Sequence, residues 1–182
     1  MRVKLAVSPK GKRKGSRNER RVCRDLSLLV SNGERDDLLW RSAMSGGTAT
    51  TRAKRGVKAA ALAGDVSSID IDSHWLVRNW YIEVKHYADL QILRGFTHNS
   101  GKLHRFWLRT VQEAAYYGKQ PMLLAKQDRL PELLIVKRGQ KIHGHYKTPI
   151  LTVRAWEADI YLFKAVEKLT EKKPERVLID DV

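Results

Sequence analysis

Leu76-Val77-Arg78-Asn79-Trp80-Tyr81-Ile82-Glu83-Val84-Lys85 reads as a β-strand, and the fold is built outward from it. Trp80, Ile82 and Val84 alternate with Tyr81, Glu83 and Lys85, a period of two that puts the first three on one face and Glu83 with Lys85 on the other. The preceding stretch, Val66 to Asp72, reads as a second strand joined to the first by a turn near Ser73-His74. Downstream, Phe106 to Tyr117 is helical, with Trp107, Leu108, Val111 and Ala115 on one side, and Gly118 and Pro121 end it. Strands follow at Met122–Lys126, Leu133–Val136 and Ile150–Val153, then a closing helix over Trp156–Leu169.

Upstream, residues 1–15 read as a flexible basic arm, broken by Pro9, Gly11 and Gly15. Ser16-Arg17-Asn18-Glu19 has the form of a capping box. Val22, Leu26, Leu29 and Val30 continue it as an amphipathic helix that Asn32-Gly33 stops. Leu38 to Ala43 is a short strand, and Ser45 to Lys58 a small, polar, basic loop. The order α-β-β-β-α-β-β-β-α predicts one α/β domain over residues 16–182 with a mixed sheet flanked by helices.

Composition narrows the class. The 182 residues carry a formal charge of +15, and residues 1–58 hold 16 Lys/Arg against 5 Asp/Glu. A field that concentrated favours a polyanion, since each neutralised phosphate releases counterions. No apolar run reaches the roughly 20 residues of a membrane span, and no signal-peptide core is present, so a cytoplasmic protein is expected. Cys23, the sole cysteine, has no disulfide partner and falls on the buried side of the first helix.

Five carboxylates compete for a chemical role. Glu83 and Lys85 leave one face of a pinned strand and could hold a divalent cation with a water beside it; equally they could be a surface ion pair. Asp65 follows Gly64 where a hairpin would return it near Glu83, making an oxygen-rich site suited to Mg²⁺ or Mn²⁺. Asp70 and Asp72 are rivals for that place, depending on register. Glu19 lies beside the apolar stripe of the first helix, awkward to bury unpaired; it is either the capping-box partner of Ser16 or a third ligand. His143-Gly144-His145 lacks a third zinc ligand nearby.

Gly15-Ser16-Arg17-Asn18-Glu19-Arg20, Arg41-Ser42-Ala43-Met44-Ser45-Gly46, Gly64-Asp65-Val66 and Tyr81-Ile82-Glu83-Val84-Lys85-His86 occur in that order, followed by a helix carrying Gln112 and by Tyr117 to Lys126. This succession resembles the PD-(D/E)XK nuclease superfamily and, within it, the archaeal-type Holliday junction resolvases, either cellular or, working then in host cytoplasm, phage-encoded; the alternatives are an endonuclease of the same fold acting on other DNA structures or duplex, of phage or restriction type, and a non-catalytic DNA-binding protein on that fold. The resemblance covers residues 15–128, leaving 129–182 as added C-terminal strands and helix. Gly64 stands where the superfamily's name has Pro. The 18 residues from Asp65 to Glu83 exceed a tight hairpin, so Asp70 stays open as the ligand.

The resemblance implies a restriction-endonuclease-like core and a homodimer that cuts four-way DNA junctions with Mg²⁺, Mn²⁺ substituting. Asp65, Glu83 and the Val84 carbonyl would hold the metal, Glu19 would complete the shell, and Lys85 would orient the attacking water. Gln112 has either an active-site or a packing role. Arg17, Arg20, Arg21, Arg41, Arg52, Lys54, Arg55 and Lys58 would contact DNA phosphates, with Ser45 near the bond cut. Trp107, Tyr116 and Tyr117 are candidate dimer-interface aromatics or core residues.

Overall fold

Two hydrophobic layers sandwich a five-stranded sheet, and the alternation within its strands decides which residues enter which layer. The computed structural model describes residues 9–42, 63–140 and 148–163, with side chains from Lys14 onward. Helix α1 spans Pro9–Val30, β1 Leu39–Arg41, β2 Val66–Ser68, α2 His74–Asn79 and β3 Trp80–Tyr87. Then come α3 Ile92–His98, α4 Gly101–Tyr117, β4 Gln120–Gln127, β5 Glu132–Lys137, β6 Leu151–Val153 and β7 Ala158–Leu162. The sheet order is β3-β4-β5-β7-β6, and β1 with β2 forms a separate antiparallel pair. Among the described strands only β3 and β4 run parallel, and helices α3 and α4 make the crossover between them. The expected α/β fold with a mixed sheet flanked by helices is the one the chain has.

On one face Ile82, Val84, Met122, Leu124, Leu134 and Val136 pack with Val22, Cys23, Leu26 and Leu29 of α1. On the other, Leu123, Ala125, Leu133 and Ile135 pack with Leu103 and Trp107 of α4. Each central strand is therefore buried on both sides, which is why β4 and β5 read as nearly continuous apolar runs. Trp107 is fully buried and its Nε1–H donates to the Trp156 carbonyl at 3.1 Å. Trp107→Ala should cost about 3–5 kcal/mol through the cavity and the orphaned carbonyl. Thermal unfolding should show Tm lower by roughly 10 °C; an unchanged Tm would show that this layer does not carry the fold.

Several expectations are corrected. The first helix begins at Pro9 instead of following an arm that ends at residue 15, so Ser16 lies inside it and no capping box forms. The stretch read as one strand from Leu76 divides: Leu76 and Val77 are consecutive and both buried, a pattern α2 accommodates, and period-two alternation starts only at Trp80. Val66–Asp72 is a strand only to Ser68, after which Asp70 caps a 3₁₀ turn over Ile71–Ser73. β2 pairs with β1, with Arg41 opposite Val66, so the anticipated hairpin with β3 is absent. Over Trp156–Leu162 the predicted closing helix is replaced by the end of a 3₁₀ turn at Arg154–Trp156 and by β7, an interior strand that pairs with both β5 and β6; Phe163 is helical, and the rest of the predicted span lies outside the described residues. The helix α4 buries Leu103, Trp107, Thr110 and Ala114, whereas Leu108 and Ala115 face solvent. Residues from 164 onward lie outside the described part of the chain. Among the described residues no helix is long and apolar enough to cross a membrane.

Candidate active site

Asp65 reaches Glu83 by a route other than a hairpin. Its N–H donates to the Ile82 carbonyl at 2.8 Å, on the edge of β3 left open by the sheet order, and its carbonyl accepts from the Ser42 N–H at 2.9 Å. The residue is thus clamped between the end of β1 and the edge of β3. Its Oδ2 then accepts from the Val84 N–H at 2.9 Å. Gly64 makes this approach possible: φ is +94°, and a Cβ there would lie 2.6 Å from the Ile82 carbonyl oxygen. Proline, with φ near −65°, could not occupy this position, which accounts physically for glycine where the superfamily's name has proline.

Lys85 ties the carboxylates together. Its Nζ forms an ion pair with Glu83 Oε1, lies 3.4 Å from Asp65 Oδ2, and donates to the Val84 carbonyl at 3.2 Å. The Phe106 ring lies beneath the ammonium at 5.9 Å. The Tyr81 hydroxyl, on the same strand face two residues earlier, donates to Glu83 Oε2 at 3.3 Å. Burial raises the Glu83 carboxyl pKa, and the Asp65 charge adds to it, against the pull of Lys85 and Arg109. For Lys85 burial opposes the charge, but the carboxylates of Asp65 and Glu83 outweigh it and raise the ammonium. The site thus holds two carboxylates for one ammonium.

That donor set suits a hard divalent cation: two carboxylates short of positive charge beside a backbone carbonyl on an open strand edge. Among the described residues no group of three or more His, Cys, Asp or Glu side chains gathers, so the acidic set is the Asp65–Glu83 pair. Glu19 does not join it; its Oε2 is bonded to the Arg41 guanidinium. It stays close enough to matter electrostatically, since burial and the charges of Glu19 and Asp65 together push the Cys23 thiol up to about 12. Asp70 is removed from the site altogether. It accepts from the Asp72 N–H at 3.0 Å and pairs with Arg35 at 2.9 Å, bonds that hold its pKa below the usual carboxylate range.

The remaining candidates divide. Gln112 is exposed on α4, so it has no packing role. Arg17 and Arg20 are exposed, as phosphate contacts need. Arg21 is engaged with Asp25 and with Glu132, and Arg41 with Glu19, so both are committed inside the protein where free contacts were expected. Trp107 is core, Tyr117 stacks on Tyr81 at 6.0 Å, and Tyr116 remains exposed. Ser45, Arg52, Lys54, Arg55, Lys58 and His143-Gly144-His145 lie outside the described residues. Sequence reasoning missed Tyr81 and Arg109 as neighbours of Glu83. The two-residue spacing on β3 signals Tyr81; nothing local signals Arg109, an exposed residue of α4 whose charge acts on Glu83 while its guanidinium faces Glu113.

Residues 10–177 match the family described as "Phage putative PDDEXK endonuclease". No curated protein and no solved structure matches the chain. A match spanning nearly the whole sequence agrees with the mixed sheet and with the Asp65–Glu83–Lys85 cluster on the open edge of β3, and the chain belongs to this phage PD-(D/E)XK endonuclease family.

Proposed function

We propose that the protein is a Mg²⁺-dependent endodeoxyribonuclease that cuts four-way DNA junctions as a homodimer in the host cytoplasm, Mn²⁺ substituting for Mg²⁺. The observation that carries the nuclease reading is the convergence of Asp65, Glu83 and Lys85 on one strand edge. The junction preference is supported by the order of motifs from Gly15 to Lys126. Nucleases of the PD-(D/E)XK type generally use divalent metals. Asp65, Glu83 and the Val84 carbonyl would hold the ion, which supplies Lewis acidity at the phosphate and acidifies a bound water.

The chain's own residues do the rest. The Val84 N–H fixes the Asp65 carboxylate, and the Tyr81 hydroxyl fixes that of Glu83, so both are oriented before substrate arrives. Lys85, kept protonated by its neighbours, is a hydrogen-bond donor for the attacking water or for a phosphoryl oxygen. Glu19, held by Arg41, would reach the shell only through water. Arg17 and Arg20 supply sequence-independent phosphate contacts.

The test is purified protein with a labelled immobile four-way junction and a matched linear duplex, in Mg²⁺ or EDTA. Paired symmetric nicks in the junction alone, lost in EDTA, are the expected result. Equal cutting of the duplex would discard the junction preference and keep the nuclease. Tight binding with no cleavage in Mg²⁺ or Mn²⁺ would discard the enzyme.

A further inference from the structure

β1 and β2 form an antiparallel ladder with Leu39 opposite Ser68, Trp40 opposite Ser67 and Arg41 opposite Val66. The bond from the Ser42 N–H to the Asp65 carbonyl adds one more rung, Ser42 opposite Asp65. Side chains alternate between the two faces of such a ladder. Leu39, Arg41 and Val66 take the face turned to α1: Leu39 and Val66 are buried in one cluster with Val22 and Leu26, and Arg41 is bonded to Glu19. Trp40, Ser67 and Asp65 therefore share the other face. Trp40 and Asp65 are diagonal neighbours on it, a relation that sets residues about 7–8 Å apart, within reach of an aromatic side chain.

Trp40 is unlike the other four tryptophans of the chain. Trp80, Trp107 and Trp156 are buried and Trp75 is partly buried, whereas Trp40 is 54% exposed. It makes no hydrogen bond and no ring contact among the described residues. The ladder's core-facing side is the other one, so the indole adds nothing to that core. Scattered exposed apolar side chains are ordinary; a half-exposed indole on the face that carries a candidate catalytic carboxylate calls for an occupant.

An indole is a stacking surface for a nucleobase, and a sequence-tolerant one, because every base has a π-face. If Asp65 marks the phosphate that is cut, a base on Trp40 belongs to a nucleotide at or next to that phosphate. The base must be free on one side. Continuous duplex stacks each internal base on both sides, whereas a strand crossover or branch exposes one. A second copy of the chain fits the face less well. Even together with the exposed Ile69 and Ile71, three side chains fall far short of the roughly 800 Å² that each partner contributes to a stable protein interface. A protein seated on Trp40 would also crowd the approach to Asp65.

We propose that Trp40 is a stacking platform for one nucleobase flanking the phosphate that is cut, and that it selects DNA in which this base is unstacked. The assignment to DNA rests on the nuclease reading above; the platform rests on the shared face of Trp40 and Asp65.

Binding to the immobile four-way junction and to matched continuous duplex is followed by fluorescence anisotropy in EDTA. Trp40→Ala should weaken junction binding about fivefold or more and leave duplex binding unchanged. The log–log salt slope should stay the same, because no charge is removed. Trp40→Phe should restore most of the loss. Abasic sites are then placed one at a time around the branch point. One position should cost the wild type the same factor and cost Trp40→Ala nothing more, the coupling expected of a base resting on the indole. Trp40 lies outside the core, so both variants should melt with the wild type by circular dichroism. An equal loss on junction and duplex, or no coupled abasic position, overturns the platform; if the wild type still cuts DNA in Mg²⁺, the nuclease stands. Coupling in a protein that cuts nothing upholds the platform and discards the nuclease. A wild type that binds neither DNA overturns both. A lower sedimenting mass for Trp40→Ala assigns the face to a second copy and overturns the base.

Discussion

Glu83→Gln and Asp65→Asn are each expected to lower DNA cleavage by at least about 10²–10³-fold while leaving the protein folded and DNA-binding. Both substitutions keep the side chain's shape and remove the charge that a divalent cation needs. Glu83 is the more informative of the two. Its carboxyl pKa is raised by burial and by Asp65, so in the metal-free protein the ionised form is the strained one. The sign follows: a carboxyl whose folded pKa lies above its unfolded value costs stability as pH rises through that range. Glu83→Gln should therefore keep or raise Tm at neutral pH without metal. The same raised pKa means that protons compete with a metal for Glu83 at higher pH than at an ordinary carboxylate. Metal affinity should accordingly weaken, as pH falls, earlier than at an ordinary carboxylate. Cleavage rates, circular dichroism melts and DNA anisotropy in EDTA check the three statements. Full activity in either folded variant removes that residue from the mechanism; lost activity with a collapsed melt would instead make the pair structural.

Why Asp65 is the partner of Glu83, and Asp70 is not, shows what the sequence could convey. The alternation at Trp80–Lys85 is local, and it places Glu83 and Lys85 together without reference to the rest of the chain. The apolar runs of β4 and β5, and Gly118 at the end of α4, are equally local and legible. The approach of Asp65 was also expected, but through a β-hairpin, whereas two backbone bonds hold it between the end of β1 and the open edge of β3. Such bonds between separate elements leave no periodic trace. The same holds for charge pairing. Arg21 meets Glu132 and Arg41 meets Glu19, partners that are 111 and 22 positions away, so a list of basic residues overstates how many are free for DNA.

Ambiguous periodicity accounts for the remaining errors. Trp156, Ile160 and Phe163 satisfy helical spacing, yet Ala158 and Ile160 also alternate with Asp159 and Tyr161. Pairing of Leu134 with Tyr161 and of Ile135 with Ile160 decides for the strand. At α2 the run Trp75-Leu76-Val77 is too short for either pattern to stand out, and the chain passes from helix to strand without a connecting loop.

Gly64→Ala should be the most damaging change that removes no functional group. Two costs separate here. The first is backbone strain at φ +94°, of order 1–3 kcal/mol for a residue with a Cβ. The second is a collision: the Cβ would lie 2.6 Å from the Ile82 carbonyl oxygen, a backbone atom on a paired strand that cannot swing aside. The chain can relieve it only by moving Gly64–Asp65 off the edge of β3. That lengthens the bond from Asp65 N–H to Ile82 and the one from Val84 N–H to Oδ2, and carries the carboxylate away from Glu83 and Lys85. Misplacement of about 1 Å is enough to lower the cleavage rate by about 10²-fold. Gly33→Ala is the matched control, since Gly33 has φ +88° with no atom within 4 Å and follows the end of α1. It incurs the strain without the collision. Both variants should melt below wild type, but only Gly64→Ala should lose cleavage in Mg²⁺. If the two variants cut DNA equally well, the clamp on Asp65 has no part in catalysis and its carboxylate is not a ligand; if only Gly64→Ala fails, the position of one carboxylate, set by a missing methyl group, controls the reaction.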